Sequence, residues 1–232
     1  MLVSEKNYND MDTKTIINNI EATAMSFEAK AMRAIHYVSG FFSLLLTPML
    51  MPTYGMIVAL WMSNLLILTL QTKMTVMLVV LGITCLVPAL LFLLLKKLKV
   101  ISELSINNRQ ERLVPYIIMI VCYVAAAIYL FMINAPEWLW MFMFGGGCAA
   151  LVSMIVNFKW KISAHMAGIG GLVALLSRIN ADGDGAFDLL PIICVAIFVG
   201  GILGTSRVAM ERHTVMQVIA GAINGFMCVY FL

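Results

Sequence analysis

Charged residues are scarce in this chain. Its 12 acidic and 15 basic residues make up 12% of a 232-residue sequence that is 62% hydrophobic, whereas an average soluble domain is about 25% charged. So few polar side chains cannot cover the water-facing exterior of a soluble domain of this length. An ordinary soluble protein is therefore excluded, and we expect most of the surface to face lipid.

Two further scarcities narrow the function. The net charge of +3 is small and the Lys and Arg residues are scattered, which excludes a nucleic-acid-binding surface. The five cysteines stand singly in apolar runs, without a Cys-x-x-Cys pair or a Cys/His metal spacing. We therefore expect no metal and no cofactor.

The first 30 residues lack the apolar core of a cleavable signal peptide, so we expect insertion through internal spans.

Uncharged apolar runs recur at close to the length of about 20 residues that a membrane-spanning helix needs. The first lies between Arg33 and Lys73, where Pro48 and Pro52 allow one broken helix, which we favour, or a tight hairpin. Six more runs follow, at Met74–Leu95, Leu113–Pro136, Trp138–Phe158, Ile162–Ser177, Leu189–Ser206 and Thr214–Leu232. The sequence predicts an all-α, polytopic transmembrane bundle of six to seven spans, forming a single domain over residues 34–232.

Residues 1–33 have a different pattern. Apolar side chains at Ile16, Ile20, Phe27 and Ala31 recur at helical spacing among Asn, Glu and Lys. This pattern is typical of an amphipathic helix on a membrane surface. We expect either such a helix or a solvated tail.

The remaining polar residues fall into three clusters, where function is most naturally sought because charges near lipid are costly. The clusters are NNRQERLVP at 107–115, KWKISAH at 159–165 and SRVAMERHTVMQ at 206–217. Two predicted spans separate each cluster from the next, so all three face the same side of the membrane. Basic side chains, a serine and the free N–H groups of a helix start together suit a phosphate-like dianion. Two histidines beside it suggest a nucleophile and an acid.

Three short motifs carry a resemblance to a known family. They are Ser206-Arg207-x5-His213, Ser163-Ala164-His165 upstream of it, and an Arg/Pro cluster further upstream. Their order, roughly from Arg109 to Gln217, resembles the type-2 phosphatidic acid phosphatase and vanadium haloperoxidase superfamily. That superfamily has Lys-x6-Arg-Pro, Pro-Ser-Gly-His and Ser-Arg-x5-His-x3-Asp. The composition excludes the soluble haloperoxidase branch and leaves the membrane lipid phosphatases.

The resemblance implies a reaction and a role for each residue. Neutral His213 would attack phosphorus in line to give a phosphohistidine that water hydrolyses, and His165 would protonate the leaving oxygen. The substrate would be a lipid phosphate or diphosphate. The phosphate oxygens would be held by five residues: Arg109, Arg112, Lys161, Ser163 and Arg207.

The sequence departs from the family motifs at several positions. Ile162 and Ala164 replace Pro and Gly, and Ser105 stands where the first motif has Lys, a charge that Arg109 or Lys161 could supply. Gln217 replaces the Asp that orients the nucleophile; its oxygen can still accept an imidazole N–H but adds no negative charge. The alternative function is therefore a non-catalytic phospholipid-binding or transport protein that keeps the phosphate pocket.

The location of the site depends on the first apolar run. With seven spans the cluster face carries most of the Lys and Arg, so the positive-inside rule places the site in the cytoplasm. A hairpin in the first run would move Lys6, Lys14, Lys30 and Arg33 to the other side and remove this bias. The face therefore stays open, and we expect the bacterial cytoplasmic (inner) membrane.

Overall fold

The computed structural model describes residues 30–100 and 112–232, together with Met25 and Phe27. Arg109 and most of the predicted N-terminal segment 1–33 lie outside the described residues. The described part is all-helical and contains no strand, which confirms the predicted all-α class. Its one isolated β-bridge joins Ser63 to Gly185.

The helices of the described part follow one another with short connections. They are α1 (residues 30–45), α2 (Met51–Met62), α3 (Leu70–Leu81), α4 (Val87–Lys97), α5 (Leu113–Met132), α6 (Glu137–Asn157), α7 (Ala164–Ala181), α8 (Leu190–Ala209) and α9 (Val215–Tyr230). A 3-10 helix covers Asn64–Ile67, and one π-helical turn, Gly82–Leu86, joins α3 to α4.

Four of the described helices are long and apolar enough to cross a membrane: the continuous helix Leu70–Lys97, α5, α6 and α8. Two shorter apolar helices, α2 and α9, accompany them. Each of these helices lies within or closely overlaps one of the uncharged runs in the sequence. The chain is therefore an integral membrane protein built from a bundle of helices.

The first apolar run is interrupted, as its prolines predict. Helix α1 ends at residue 45, Pro48 lies in the turn that follows, and Pro52 lies in the first turn of α2, where a missing backbone N–H removes no helical hydrogen bond. Met51 lies against Gly168 near the start of α7. At the other end of α2, Asn64 N–H donates to the Asp184 carbonyl at 2.8 Å. Helix α2 therefore runs beside α7 in the same direction.

Close backbone contact between α7 and α9 brings the last two polar clusters together. A Cβ added at Gly225 would collide with the Ala167 carbonyl, and one at Gly221 would lie 2.5 Å from the Ser163 carbonyl. Glycine at both positions lets the two helices touch. Because the second cluster leads into α7 and the third into α9, this contact places their histidines at the same end of the bundle.

Candidate functional site

A cavity of about 180 Å³ lies at this end of the bundle. The structure brings Arg112, His165, Arg207 and His213 together in its wall, with members from all three clusters. The other lining residues are Thr47, Pro48, Met49, Phe92, Pro115, Tyr116, Met119 and Ala164. Three predicted site residues are not among the lining residues: Gln217 hydrogen-bonds to His213, the charge of Lys161 acts on His213, and Ser163 precedes Ala164 in the chain.

Helix ends and one turn position the two arginines and two histidines of the lining. Arg112 is the N-cap of α5, His165 is in the first turn of α7 and Arg207 is in the last turn of α8. A tight turn then carries the chain back, with a left-handed backbone at Glu211 (φ 55°). The His213 N–H donates to the Arg207 carbonyl at 3.3 Å, so His213 returns beside Arg207.

Gln217 fixes the tautomer of His213. Its Oε1 lies 3.1 Å from His213 Nδ1 and also accepts the Thr214 backbone N–H at 3.3 Å. A backbone N–H can only donate, so the amide oxygen faces both groups and His213 Nδ1 must carry the proton. Nε2 of the neutral ring is therefore left with its lone pair. Gln217 also forms a capping box with Thr214 at the start of α9, which holds its own side chain in place.

The environment keeps His213 uncharged. His213 is 7% exposed, and burial lowers its pKa to about 3, with the positive charges of Arg207 and Lys161 acting in the same direction. The hydrogen bond with Gln217 acts in the opposite direction but does not offset them. The imidazole is therefore neutral at pH 7, which is the form that a nucleophile requires.

Ser43 of α1 links His165 to Arg207. His165 Nε2 lies 3.1 Å from the Ser43 carbonyl and 3.3 Å from its hydroxyl, while Arg207 Nη1 donates to that hydroxyl at 2.7 Å. Because a carbonyl only accepts, His165 carries a proton on Nε2. Ser43 was not predicted from the sequence. The sequence signal for it is a second serine four positions earlier, Ser39, because residues four apart share a helix face. In the structure Ser39 is buried.

Buried polar atoms at the site, among them Arg207 Nε and Ser163 Oγ, have no hydrogen-bond partner within the part of the chain that the structure describes. The Ser163 N–H, in contrast, donates to the Gln217 carbonyl at 3.2 Å. Buried polar atoms are rarely left unpaired. Their presence beside a cavity is what a site for a ligand with several hydrogen-bond acceptors would show.

Arg207 and Lys161 donate hydrogen bonds to uncharged oxygen atoms rather than to carboxylates. Lys161 Nζ donates to the Arg212 carbonyl at 2.9 Å, just as Arg207 donates to Ser43. Burial lowers the pKa of Lys161 to about 8, and the nearby charges of Arg112, Arg207 and Arg212 add to the effect. Burial also lowers the pKa of Arg112. The site is therefore strongly positive.

The remaining assignments concern metals and Arg109. Among residues 30–100 and 112–232, with Met25 and Phe27, no group of three His, Cys, Asp or Glu side chains could hold a metal ion. Arg109, predicted to bind phosphate, lies outside the described residues.

Comparisons with protein-family models, with curated proteins and with solved structures found no match. The resemblance to the phosphatase superfamily therefore rests on the sequence motifs alone and stays a hypothesis.

Proposed function

We propose that this chain is a membrane phosphatase that hydrolyses a lipid phosphate or diphosphate through a phosphohistidine intermediate. The observation that supports the proposal most strongly is the pairing of His213 with Gln217. It leaves a neutral imidazole with its Nε2 lone pair beside a cavity that two arginines line.

In the proposed first step, His213 Nε2 forms a bond to phosphorus while the bond from phosphorus to the alcohol or phosphate leaving group breaks. The ring keeps the Nδ1 proton, which Gln217 Oε1 accepts throughout. The imidazolium form of His165, which the negative charge of bound phosphate favours, gives its proton to the leaving oxygen. Water then attacks phosphorus, passes a proton to His165 and releases inorganic phosphate with His213 neutral again.

Arg112 and Arg207 would hold the phosphate oxygens on which negative charge is concentrated in the transition state. The unpaired Arg207 Nε and Ser163 hydroxyl supply donors for this purpose. Ala164, at the start of α7, lines the cavity, so the positive end of the α7 dipole faces the same place. Lys161, which does not line the cavity, adds a further positive charge near His213.

The finer architecture is part of the proposal. Seven crossings would place all three clusters on one face of the bacterial cytoplasmic membrane, with the phosphate at the interface and the lipid tail in the bilayer. The helix-end positions of Arg112, His165 and Arg207 support this arrangement, because helix ends lie near the interface.

A second candidate is a phospholipid-binding or transport protein without turnover. Gln217 favours it, because an amide adds no negative charge to stabilise an imidazolium. The two histidines favour the enzyme, since anion binding alone needs only the arginines and the serine.

Phosphate release by the purified protein in detergent separates the two candidates. We expect vanadate-sensitive release from phosphatidic acid, phosphatidylglycerol phosphate or a polyprenyl diphosphate, and loss of release in His213→Ala. Tight binding of these lipids without phosphate release would support the second candidate. Release by His213→Ala at the wild-type rate would show that the proposed nucleophile is wrong.

A further inference from the structure

A second, larger cavity of about 800 Å³ lies between α8 and α9, with α7 as its floor. Its lining is apolar except for Thr205, whose hydroxyl donates to the Gly201 carbonyl at 2.9 Å. The cavity opens sideways, and Ile197, Val215 and Ile223 on its rim are each 57% exposed. It is therefore a groove that faces lipid and has a volume typical of pockets for small ligands. We call it the α8–α9 groove.

Glycines create the groove. A Cβ added at Gly201 would have no heavy atom within 4 Å, and one at Gly200 would be 3.7 Å from the nearest atom, in Ile169. Gly200 and Gly201 thus carry no side chain at positions where a larger residue would have room. The space is available to an apolar ligand at no steric cost.

One end of the α8–α9 groove adjoins the positive site. Three groove residues lie one or two positions along the chain from site residues: Met166 after His165, Val208 after Arg207, and Val215 after His213 and Thr214. Consecutive Cα atoms are about 3.8 Å apart. The same three elements therefore present polar groups to the cavity and apolar groups to the groove.

The length of the groove matches one leaflet. From Val208 to Ala196 it follows α8 for about 18 Å at a rise of about 1.5 Å per residue, and half of the hydrocarbon core is about 15 Å thick. A partner helix that crosses the bilayer would contact α8 over the full thickness. An acyl chain that hangs from a headgroup at the interface needs only this depth.

The geometry points to the α8–α9 groove as the binding site for an acyl chain of the lipid whose phosphate occupies the positive cavity. The inference rests on the lipid-phosphate binding in the proposed function and adds where the tail lies. It makes the preferred ligand a phosphate ester with a long hydrocarbon chain rather than a water-soluble phosphate.

Gly201→Leu is the variant that tests the groove. Gly201 lines the groove, a Cβ there meets no heavy atom within 4 Å, and leucine favours a helix more than glycine does. Gly82→Leu is the matched control, because a Cβ there also meets nothing within 4 Å but lies outside the groove. Both full-length variants would be compared with the wild type in detergent micelles.

The measurement is photo-crosslinking of a phosphonate analogue of phosphatidic acid, which cannot be hydrolysed and carries a diazirine in its acyl chain, with diacylglycerol carrying the same chain as a neutral probe. We expect crosslinks on α8 and α9, at least fivefold fewer with the neutral probe, and at least tenfold fewer in Gly201→Leu but not in Gly82→Leu. Crosslinks that Gly201→Leu leaves unchanged, or equal labelling by both probes, would overturn the inference. So would a dimer that Gly201→Leu dissociates, because a second copy would then fill the groove.

Phosphate release is measured separately from binding of the acyl chain in the α8–α9 groove. Groove crosslinks without phosphate release would contradict the proposed enzyme but support the acyl-chain site. Phosphate release with crosslinks outside the groove would support the enzyme and contradict the acyl-chain site. For an active wild type, Gly201→Leu should lower release from a long-chain substrate at least tenfold and leave release from a short-chain phosphate ester within about twofold. A loss of both activities alike would contradict the assignment.

Discussion

At the scale of single residues, the site depends on hydrogen bonds that fix where protons lie. Gln217 accepts from His213 and from the Thr214 backbone with one oxygen, so it sets the tautomer as a carboxylate would. It does so without a charge. Because Gln217 is uncharged, only its hydrogen bond opposes the burial and the neighbouring cations that lower the pKa of His213.

Gln217→Glu should keep or raise turnover, by up to about tenfold. Glutamate has the same reach, can form the same capping box and adds the charge that stabilises an imidazolium. Gln217→Leu, which keeps the bulk but has no acceptor, should lower kcat by tenfold or more. The measurement is kcat for lipid-phosphate hydrolysis. A brisk wild-type rate that Gln217→Glu abolishes would show that the amide is an adapted part of the site.

The pH dependence of anion binding should report on Lys161. With a pKa lowered to about 8, Lys161 is charged below that pH and loses its proton as the pH rises through it. The affinity for sulfate, whose charge is constant here, should therefore fall severalfold between pH 7 and pH 9. His213, with a pKa of about 3, does not titrate in this range. The affinity of Lys161→Arg should stay flat; an equally flat wild type would contradict the account.

The residue types that carry the site could be predicted from the sequence, because charged and imidazole groups are conspicuous in an apolar chain. Counting spans placed Arg112, His165 and Arg207 on one side, and the structure brings them together. Ser43 could not be predicted in this way, because an uncharged serine does not stand out within an apolar run. Its role depends on where α1 ends relative to α7, which no local pattern specifies.

At the scale of helices, length and proline placement predicted most of the bundle. The π-helical turn Gly82–Leu86 was not predicted, and Pro88 gives a physical reason for it. Pro88 has no N–H for the Thr84 carbonyl, and its ring would crowd that carbonyl in a regular helix. Widening the turn relieves the crowding. An apolar run indicates that a helix crosses the membrane, but it does not indicate where the backbone hydrogen bonds change from the α-helical to the π-helical pattern.

Gly225→Ala should destabilise the bundle, because its Cβ would collide with the Ala167 backbone of α7. Overpacking of this kind costs about 1–3 kcal/mol, and contact with backbone rather than a flexible side chain favours the upper end. Alanine recovers about 1 kcal/mol of helix propensity. We expect Tm in detergent to fall by several degrees. Gly201→Ala, where a Cβ meets nothing, should leave Tm unchanged or raise it.

At the scale of the whole molecule, the path of the chain decides whether the clusters can act together. Lys159 and Glu211 flank the site, while Asp182 follows α7 at its other end. All three side chains are exposed. In a cysteine-free background, cysteines at Lys159 and Glu211 should react with a membrane-impermeant maleimide from one side of sealed vesicles. A cysteine at Asp182 should react from the other. Labelling of the first two from opposite sides would contradict the shared face.

Detection of phosphate on His213 tests the central proposal most directly. Purified protein would be mixed with a long-chain phosphatidic acid, quenched in base within milliseconds, digested and analysed by mass spectrometry. We predict a phosphate adduct on the peptide that contains His213, stable in base, lost in acid and absent from His213→Ala. Phosphate release without this adduct, or an adduct on a different residue, would contradict the proposed mechanism.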